Sequence, residues 1–321
     1  MRFLVFALRR LMVALLTLLA VSVLSFLLLN LAPGDFFEEM RLSPQMTPET
    51  AQALRAQYGL DQGFWARYSA WSRSALRGEF GVSMATGEPA NRVLAPRLKR
   101  TLLLSSLSLA AAWLIALPCG FLAAVRRGSL IDRLLQLSTA VALAFPEMLF
   151  GTVLLVAAAR FGWFTAETQF LADASVGEWL RRMLLPGAVL AFAAFPVIVR
   201  HARSALVAAA DTTYIRASRS AGITGRRLWL GQILPLAANP LITLLGLSAA
   251  GMIGGSVIAE SLFGWPGAGP LLLESITGRD AHLVLDLALA GAALLTAANF
   301  VSDLLQYAVD PRLRSGGRVL R

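Results

Sequence analysis

The sequence contains few of the side chains that carry out catalysis or bind metals. Among its 321 residues are one lysine, Lys99, one cysteine, Cys119, and two histidines, His201 and His282. Lys99 follows a leucine, so the chain lacks the Gly-Lys pair that a phosphate-binding loop requires. A single cysteine excludes a disulfide framework and a cysteine-based zinc site, and the separation of the histidines excludes a His-Glu-x-x-His zinc helix. We therefore expect no catalytic site, no metal, no cofactor and no ATPase site in this chain.

Two carboxylates stand inside stretches that are otherwise uncharged and apolar, Glu147 and Asp286. An ionisable group at membrane depth is costly and is by default a candidate for function. The functional hypothesis is that both lie on a translocation path and contact a cationic substrate end, such as a peptide amino terminus. The alternative is a helix–helix hydrogen bond, or a carboxylate beside a water-filled vestibule.

A serine nucleophile is a competing hypothesis. The segments Gly246-Leu-Ser-Ala249 and Gly254-Gly-Ser-Val257, with His282 downstream, could form the Ser-His pair of an intramembrane protease. Gly-x-Ser triplets are unsurprising in a chain with 26 glycines, however. Small residues also have a sufficient structural use, because they let membrane helices approach closely. The protease is therefore the weaker interpretation.

The elements that must position these residues are membrane helices. The chain is 57% hydrophobic and 15% charged, whereas soluble domains are about 25% charged. A membrane-spanning helix needs roughly 20 apolar residues. Six runs fit this length, the third and sixth interrupted only by Glu147 and Asp286: Leu11–Gly34, Thr101–Val125, Leu134–Ala159, Met183–Val199, Leu228–Ala259 and Leu283–Ser302. The sequence predicts an all-α polytopic membrane protein with six transmembrane helices.

The arginines predict the orientation. The net charge is +10, and cytoplasmic segments of membrane proteins carry an excess of Lys and Arg. With both termini in the cytoplasm, the cytoplasmic set is Arg2, Arg9, Arg10, Arg126, Arg127, Arg133, Arg200, Arg203, Arg216, Arg219, Arg226, Arg227, Arg312, Arg314, Arg318 and Arg321. The two short outer loops then hold only Arg160, Arg181, Arg182 and Arg279. The positive charge therefore indicates cytoplasmic faces and not a nucleic-acid partner.

The first two spans are separated by a long outer loop rich in aromatic residues. The stretch Thr50–Tyr58 is helix-like, and Tyr68 and Trp71, three residues apart, predict a second short helix at the membrane interface, where Trp and Tyr are enriched. The first span itself is longer than the hydrophobic region of a signal peptide, so it is predicted to be an uncleaved anchor.

The most informative connection runs from Asp211 to Arg227. Asp211 can cap the start of a helix, and Gly222 can end it in the left-handed conformation, which gives about three turns. The residues that would share one face are Tyr214, Ala217 or Ser218, and Ala221. A short amphipathic helix of this kind could insert into a groove of a partner protein, or it could lie on anionic lipid through its arginines.

This connection resembles the coupling loop of permease subunits of ABC transporters. Tyr214-Ile-Arg-Ala-Ser-Arg-Ser-Ala-Gly222, followed by Leu234-Pro235, is most similar to the version in the dipeptide/oligopeptide/nickel importers. Further segments resemble this family in the same order along the chain: Leu8–Leu11, Leu31–Asp35, Tyr58–Gln62, Arg77–Ser83, Glu260–Gly269, Arg279-Asp280, Asn299–Asp303 and Asp310–Arg314. The resemblance therefore covers nearly the whole chain.

The resemblance implies a type I ABC importer permease fold in a bacterial inner membrane. The expected organisation is an anchor helix and outer loop at 1–100, a permease core at 101–310 with a coupling helix at 211–227, and a cytoplasmic tail at 311–321. The residues expected to couple to the ATPase are Asp211, Tyr214, Arg216, Ala217, Ala221, Gly222 and Ile223. Trp265, Pro266 and Gly267 would lie near an outer gate, although proline and glycine alone also predict a rigid turn.

The resemblance also implies partners. They are two ATPase subunits, a second permease subunit, which could be identical or different, and an extracytoplasmic binding protein that delivers the substrate. Peptides are the leading substrate, with nickel chelates and oligosaccharides as alternatives. A secondary transporter remains the alternative class, but it would leave the Tyr214–Gly222 helix without a role.

The sequence departs from the family pattern at five places. In the coupling loop, Ser220 or Ala221 replaces the family's usual lysine. Arg216 stands where the family has a glutamate, Glu147 where a small residue follows Pro146, Ala281-His282 where the family has Tyr-Pro, and Asp286 where it has a glycine. We expect these positions to lie at the coupling loop and at or near the translocation path.

Overall fold

The computed structural model describes residues 2–31, 49–50, 56, 61–84, 87–163 and 175–309. Within these ranges the chain is almost entirely helical, and a single β-bridge joins Val82 to Pro89. Most of the predicted helix at Thr50–Tyr58, the tail at 311–321 and the family-like residues at 32–35, 58–60 and 310–314 lie outside the described residues.

The described helices follow one another with short connections. They are α1 (Arg2–Leu31), α2 (Phe64–Leu76), α3 (Ala90–Val125), α4 (Leu130–Ala144), α5 (Glu147–Arg160), α6 (Val176–Ala210), α7 (Thr213–Ser220), α8 (Gly225–Leu228), a π-helical turn (Trp229–Ile233), α9 (Leu234–Leu262), α10 (Ala268–Thr277) and α11 (Ala281–Val309). The predicted all-α membrane fold is confirmed, and α2 confirms the short helix expected around Tyr68 and Trp71.

Five of these helical stretches are long and apolar enough to cross a membrane on their own. They are α1 from Phe3, α3, α6, the run from Gly225 to Leu262, and α11. The predicted third span is not one continuous helix, because α4 and α5 meet at an angle of 93°. Pro146 has no N–H to donate, and it restricts Phe145 to the extended conformation seen there, with ψ 118°. Counting this bent pair as one crossing gives the six that the sequence predicted.

The chain divides into two compact units. The first comprises residues 1–13, 102–265 and 295–321, and the second comprises residues 14–101 and 266–294. The core of the first unit includes Leu104, Val189, Ile198 and Leu244, all nearly inaccessible to solvent. Its helices approach closely at glycines: a Cβ placed on Gly120 would lie 2.8 Å from the Cβ of Ala202. The first unit is therefore a helix bundle whose contacts depend on small residues.

The second unit contains an aromatic cluster and a buried polar contact. Phe26 of α1 packs edge-on against Phe64 and Tyr68 of α2, and the hydroxyl groups of Ser22 and Tyr68 are 2.9 Å apart. Farther along, the Ser83 hydroxyl donates to the fully buried carboxylate of Asp280 at 2.7 Å. This contact holds the loop before α3 against the start of α11.

Two pairs of the family-like segments meet in the structure. In the first unit, Arg10 forms an ion pair with Asp303 at 2.9 Å. In the second unit, Ser83 meets Asp280 as described above. The two segments of each pair are distant in sequence. These contacts show that their polar residues bind each other in the folded chain.

Candidate functional site

The connection after α6 folds into the short helix α7. Ala210 is the last residue of α6 and Asp211 is its C-cap, while Thr212 occupies the N-cap position of α7. The prediction that Asp211 caps the start of this helix was wrong, because α6 continues up to Asp211 itself. The helix has 8 residues, about two turns instead of the predicted three.

The predicted left-handed end of α7 is confirmed. Gly222 has φ +83°, its N–H donates to the carbonyl of Arg219 at 3.0 Å, and the N–H of Ile223 donates to the carbonyl of Ser218 at 3.1 Å. This pair of hydrogen bonds is the Schellman motif, which satisfies carbonyls that the helix would leave unpaired. It stops α7 abruptly at a turn.

One side of α7 is packed against the neighbouring helices of the first unit. Ile215 is fully buried and Ser218 is 8% exposed. Ile215 belongs to a cluster that includes Leu206 of α6, Leu228 of α8 and Ile233 of the π-helical turn. Of the two residues left open by the sequence, Ser218 therefore lies on the inner side of the helix.

The other side of α7 is open to solvent. Tyr214 is 59% exposed, and Ala217, Ala221 and Gly222 are exposed beside it, while Ile223 is half-buried in the turn. We call the surface formed by Tyr214, Ala217, Ala221 and Gly222 the coupling surface. It combines one large aromatic side chain with small residues on a helix that is held from behind.

The side chain of Arg216 is used within the segment. Its guanidinium donates to the backbone carbonyl of Asp211 through Nη2 at 3.0 Å and Nε at 3.3 Å. Arg216, which stands where the family has a glutamate, thus links α7 to the end of α6. The carboxylate of Asp211 in turn pairs with Arg127 at 2.9 Å, with both side chains largely exposed.

A buried ion pair beside this segment has no local signal in the sequence. Arg203 of α6 forms a bidentate ion pair with Asp132 of α4. Its Nε donates to Oδ1 at 2.6 Å and its Nη2 donates to Oδ2 at 2.8 Å. The side chain of Asp132 is only 5% exposed, and it also accepts from the N–H of Gly128 at 2.8 Å. The connection between α3 and α4 is therefore held against α6.

Glu147 lines a cavity of about 220 Å³ in the first unit. It is the first residue of α5, and the walls come from α5, α6 and α9: Glu147, Leu190, Ala193, Ala194, Val197, Leu244, Leu247, Ser248, Gly251, Met252 and Gly255. The Oε1 atom of Glu147 is buried and has no hydrogen-bond partner among the described residues. The helix–helix hydrogen bond considered for this residue is therefore not seen at that oxygen.

Asp286 has a different environment, in the second unit. Its side chain is fully buried, and Oδ1 accepts a hydrogen bond from the indole N–H of Trp71 at 3.2 Å. Oδ2 has no hydrogen-bond partner within the described ranges. This aspartate joins α11 to α2, as the helix–helix alternative predicted, and its place on a translocation path stays a prediction.

The segment expected near an outer gate is a tightly held turn. In the first unit, Trp265 is 2% exposed and packs edge-on against Trp179 with 5.5 Å between ring centres. In the second unit, Arg100 donates to the carbonyl of Pro266 at 3.4 Å, and Gly267 caps the start of α10. These contacts favour the rigid-turn interpretation, and the role at a gate stays a prediction.

The geometry of the serines does not support a protease. The hydroxyl of Ser248 donates to the carbonyl of Leu244 at 2.7 Å, and that of Ser256 donates to the carbonyl of Ile253 at 2.9 Å. Both are therefore committed to the backbone of their own helix instead of to a general base. His282 lies half-buried in the first turn of α11.

A metal centre is also not supported by the described part of the chain. It contains no group of three or more His, Cys, Asp or Glu side chains that could hold a metal ion.

The fold described above is that of a polytopic membrane protein. The family of binding-protein-dependent transport system inner membrane components matches residues 116–315, and the N-terminal domain of such components matches residues 1–105. The chain belongs to this family, and it is accordingly a multi-pass inner-membrane protein.

Several relatives match the chain over nearly its whole length. It is 32% identical over 320 residues to the oligopeptide transport system permease protein AppB of Bacillus subtilis, covering 96% of this chain and 98% of that protein. It is 30% identical over 338 residues to the dipeptide transport system permease protein DppB of Escherichia coli K12, with the same coverage. The glutathione transport system permease protein GsiC of E. coli is 30% identical over 309 residues, again covering 96% and 98%.

A solved structure shares the fold. It is a chain of the MetNI methionine ABC transporter in an inward-facing conformation, with a TM-score of 0.51 and 23% sequence identity. The match covers 68% of this chain and 96% of that one.

Proposed function

We propose that the chain is a permease subunit of an ATP-driven importer of di- and oligopeptides, in which it forms half of the translocation pore. Two ATPase subunits dock on the cytoplasmic side, a second permease subunit completes the pore, and an extracytoplasmic binding protein delivers the substrate. The peptide assignment is supported by the names of relatives that match this chain over nearly their whole length.

The coupling surface is the observation that carries this proposal. A partner groove can grip Tyr214 and pack closely over Ala217 and Ala221, because small side chains allow close approach. Burial of Ile215 on the opposite side means that a force on this surface reaches the permease core directly. Of the two arginines of this helix, Arg216 is bonded to the backbone of Asp211 and is thereby held away from lipid headgroups, while Arg219 is exposed.

The helices on either side of the segment can transmit such a force. The segment follows directly on α6, a helix of 35 residues, and leads into the helical run from Gly225 to Leu262, of 38 residues. Long helices move as rigid bodies, so closure of the ATPases around ATP would tilt both together. Access to the pore would then alternate from the outer to the inner side.

The experiment is co-purification of the ATPase with variants at Ala217. Ala217→Arg places a long charged side chain on the coupling surface, and we expect the recovered ATPase to fall at least about tenfold, which corresponds to about 1.4 kcal/mol of binding free energy. Ala217→Ser is the matched control, because it keeps a small side chain at the same exposed position. Equal membrane expression of both variants shows that the fold is intact.

A charge at Gly222 would be a less specific test. With φ +83°, any side chain there is strained, so lost association could reflect a disrupted turn.

Two results would overturn the proposal. One is full ATPase recovery with Ala217→Arg. The other is active uptake by the purified chain alone with only an ion gradient, which would favour the secondary transporter.

A further inference from the structure

Glu147 is the one ionisable side chain on the wall of its cavity. The other polar side chain there, Ser248, donates its hydroxyl to the carbonyl of Leu244. The remaining lining consists of small and aliphatic residues such as Leu190, Val197 and Met252. An ionised carboxylate in such a setting lacks solvation unless a cation or a proton accompanies it.

The local structure presents this carboxylate to the cavity. Pro146 breaks the helix before it, so Glu147 begins α5, where the exposed N–H groups of a helix favour a negative charge. Opposite, a Cβ placed on Gly255 would lie 3.7 Å from both carboxylate oxygens. Glycine at 255 thus leaves the carboxylate uncovered on the side of α9.

The charge and the size of the cavity limit what can bind there. A divalent metal ion would need several oxygen or nitrogen ligands, and the wall supplies one carboxylate. The cavity of about 220 Å³ is smaller than the roughly 300–1,000 Å³ of pockets that enclose a whole drug-sized ligand. An ammonium group, with N–H donors and one positive charge, matches a single carboxylate and the small space around it.

We propose that Glu147 binds the primary ammonium group at the amino terminus of a peptide as the peptide passes through the permease. This inference rests on the proposed function and assigns the substrate contact within it. Because the cavity holds only the amino end, the contact would not depend on peptide length.

The first experiment needs no binding protein. The purified complex of permease and ATPase subunits is treated with dicyclohexylcarbodiimide, an apolar reagent that modifies carboxylic acids, and modification of Glu147 is followed by mass spectrometry. We expect trialanine to slow the modification at least about fivefold and N-acetyl-trialanine to leave it unchanged. N-acetylated Ala-Lys-Ala carries its primary ammonium group on the lysine side chain instead of the amino terminus. Protection by trialanine but not by this peptide would assign the contact to the amino terminus.

The second experiment measures ATP-dependent uptake in vesicles that contain the full transporter. Glu147→Gln is expected to lower trialanine uptake at least about tenfold, and Glu147→Asp to restore part of it. Ser248→Ala is the matched control, because it removes a polar group from the same wall without removing charge. Its uptake should stay within about twofold of the original protein.

Three outcomes would overturn the inference. Equal protection by trialanine and N-acetyl-trialanine would mean that Glu147 does not recognise the ammonium group of the peptide. Unchanged trialanine uptake by Glu147→Gln would exclude a substrate contact, and disassembly of the complex by this variant would assign the carboxylate to subunit contacts. Failure of the proposed function would give a different result. In that case the original protein itself, like all the variants, would neither co-purify with an ATPase nor import peptide.

Discussion

At the scale of single residues, two ion pairs near the coupling surface differ sharply in burial. The side chains of Asp132 and Arg203 are 5% and 22% exposed, whereas those of Arg127 and Asp211 are 58% and 61% exposed. Exposed pairs contribute little, because water screens them and two long side chains must be ordered. Removing one partner of a buried pair is costly, because the other charge is left uncompensated.

We therefore predict that Asp132→Ala lowers the free energy of unfolding by about 2–3 kcal/mol, since Arg203 would lose both of its short contacts. Arg127→Ala is the matched control and should cost less than about 1 kcal/mol. Thermal unfolding of the detergent-solubilised protein, followed by tryptophan fluorescence, measures both. Similar melting temperatures for the two variants would contradict the difference in burial.

The individual residues show how far the sequence could predict the site. Glu147 was predictable as a candidate, because a charge in an apolar run is conspicuous. That its Oε1 atom has no hydrogen-bond partner in the described part of the chain was not predictable. Asp132 and Arg203 are 71 positions apart, and no local pattern links them. Asp211 was assigned to the wrong helix end, since aspartate is compatible with either side of a short break.

At the scale of elements, the end of α7 depends on one backbone conformation. A residue other than glycine at φ +83° costs roughly 1–2 kcal/mol, with asparagine the best tolerated. We predict that Gly222→Ala speeds hydrogen exchange of two backbone amides, that of residue 222 and that of Ile223, at least about fivefold. Gly222→Asn should recover most of the protection, and equal exchange in the two variants would show that the turn does not depend on this conformation.

Helix contacts offer a second test at this scale. A Cβ on Gly120 of α3 would lie 2.8 Å from the Cβ of Ala202 and 2.9 Å from the carbonyl oxygen of Val199, both in α6. Gly120→Ala should therefore destabilise the protein by about 1–3 kcal/mol through overpacking. Gly254→Ala is the control, because no atom of the described residues lies within 4 Å of its Cβ position, and it should be neutral or stabilising by up to about 1 kcal/mol. Melting temperatures in detergent would distinguish them, and a loss at Gly254 as large as that at Gly120 would refute the packing argument.

The helices themselves were largely predictable because apolar runs of membrane length have few alternatives to a helix. The break between α4 and α5 was not, since a proline inside such a run is compatible with a mild kink as well as with a bend of 93°. The helix ends also differ: Met183–Val199 marks only the uncharged centre of α6, which extends to Val176 and Ala210 and includes charged residues at both ends.

At the scale of the whole molecule, the distribution of arginines predicts which surfaces face the cytoplasm. Cys119 is the single cysteine, so Cys119→Ser gives a background for labelling at chosen sites. In that background, Leu76→Cys, at a position 88% exposed at the end of α2, should react with a membrane-impermeant maleimide in intact spheroplasts. Ser220→Cys at the end of α7 should react only after the membrane is opened. The reverse pattern would invert the predicted orientation.

The two helices that flank the coupling surface have a further consequence. The helix α6 and the run from Gly225 to Leu262 also supply most of the wall around Glu147. A movement that changes how these helices pack must therefore change the affinity of that cavity for its ligand. By thermodynamic linkage the effect is reciprocal: a peptide held at Glu147 would alter the affinity of the permease for its ATP-bound partner by the same factor. Occupancy of the pore by a peptide and binding of the ATP-loaded ATPase would therefore be coupled at equilibrium.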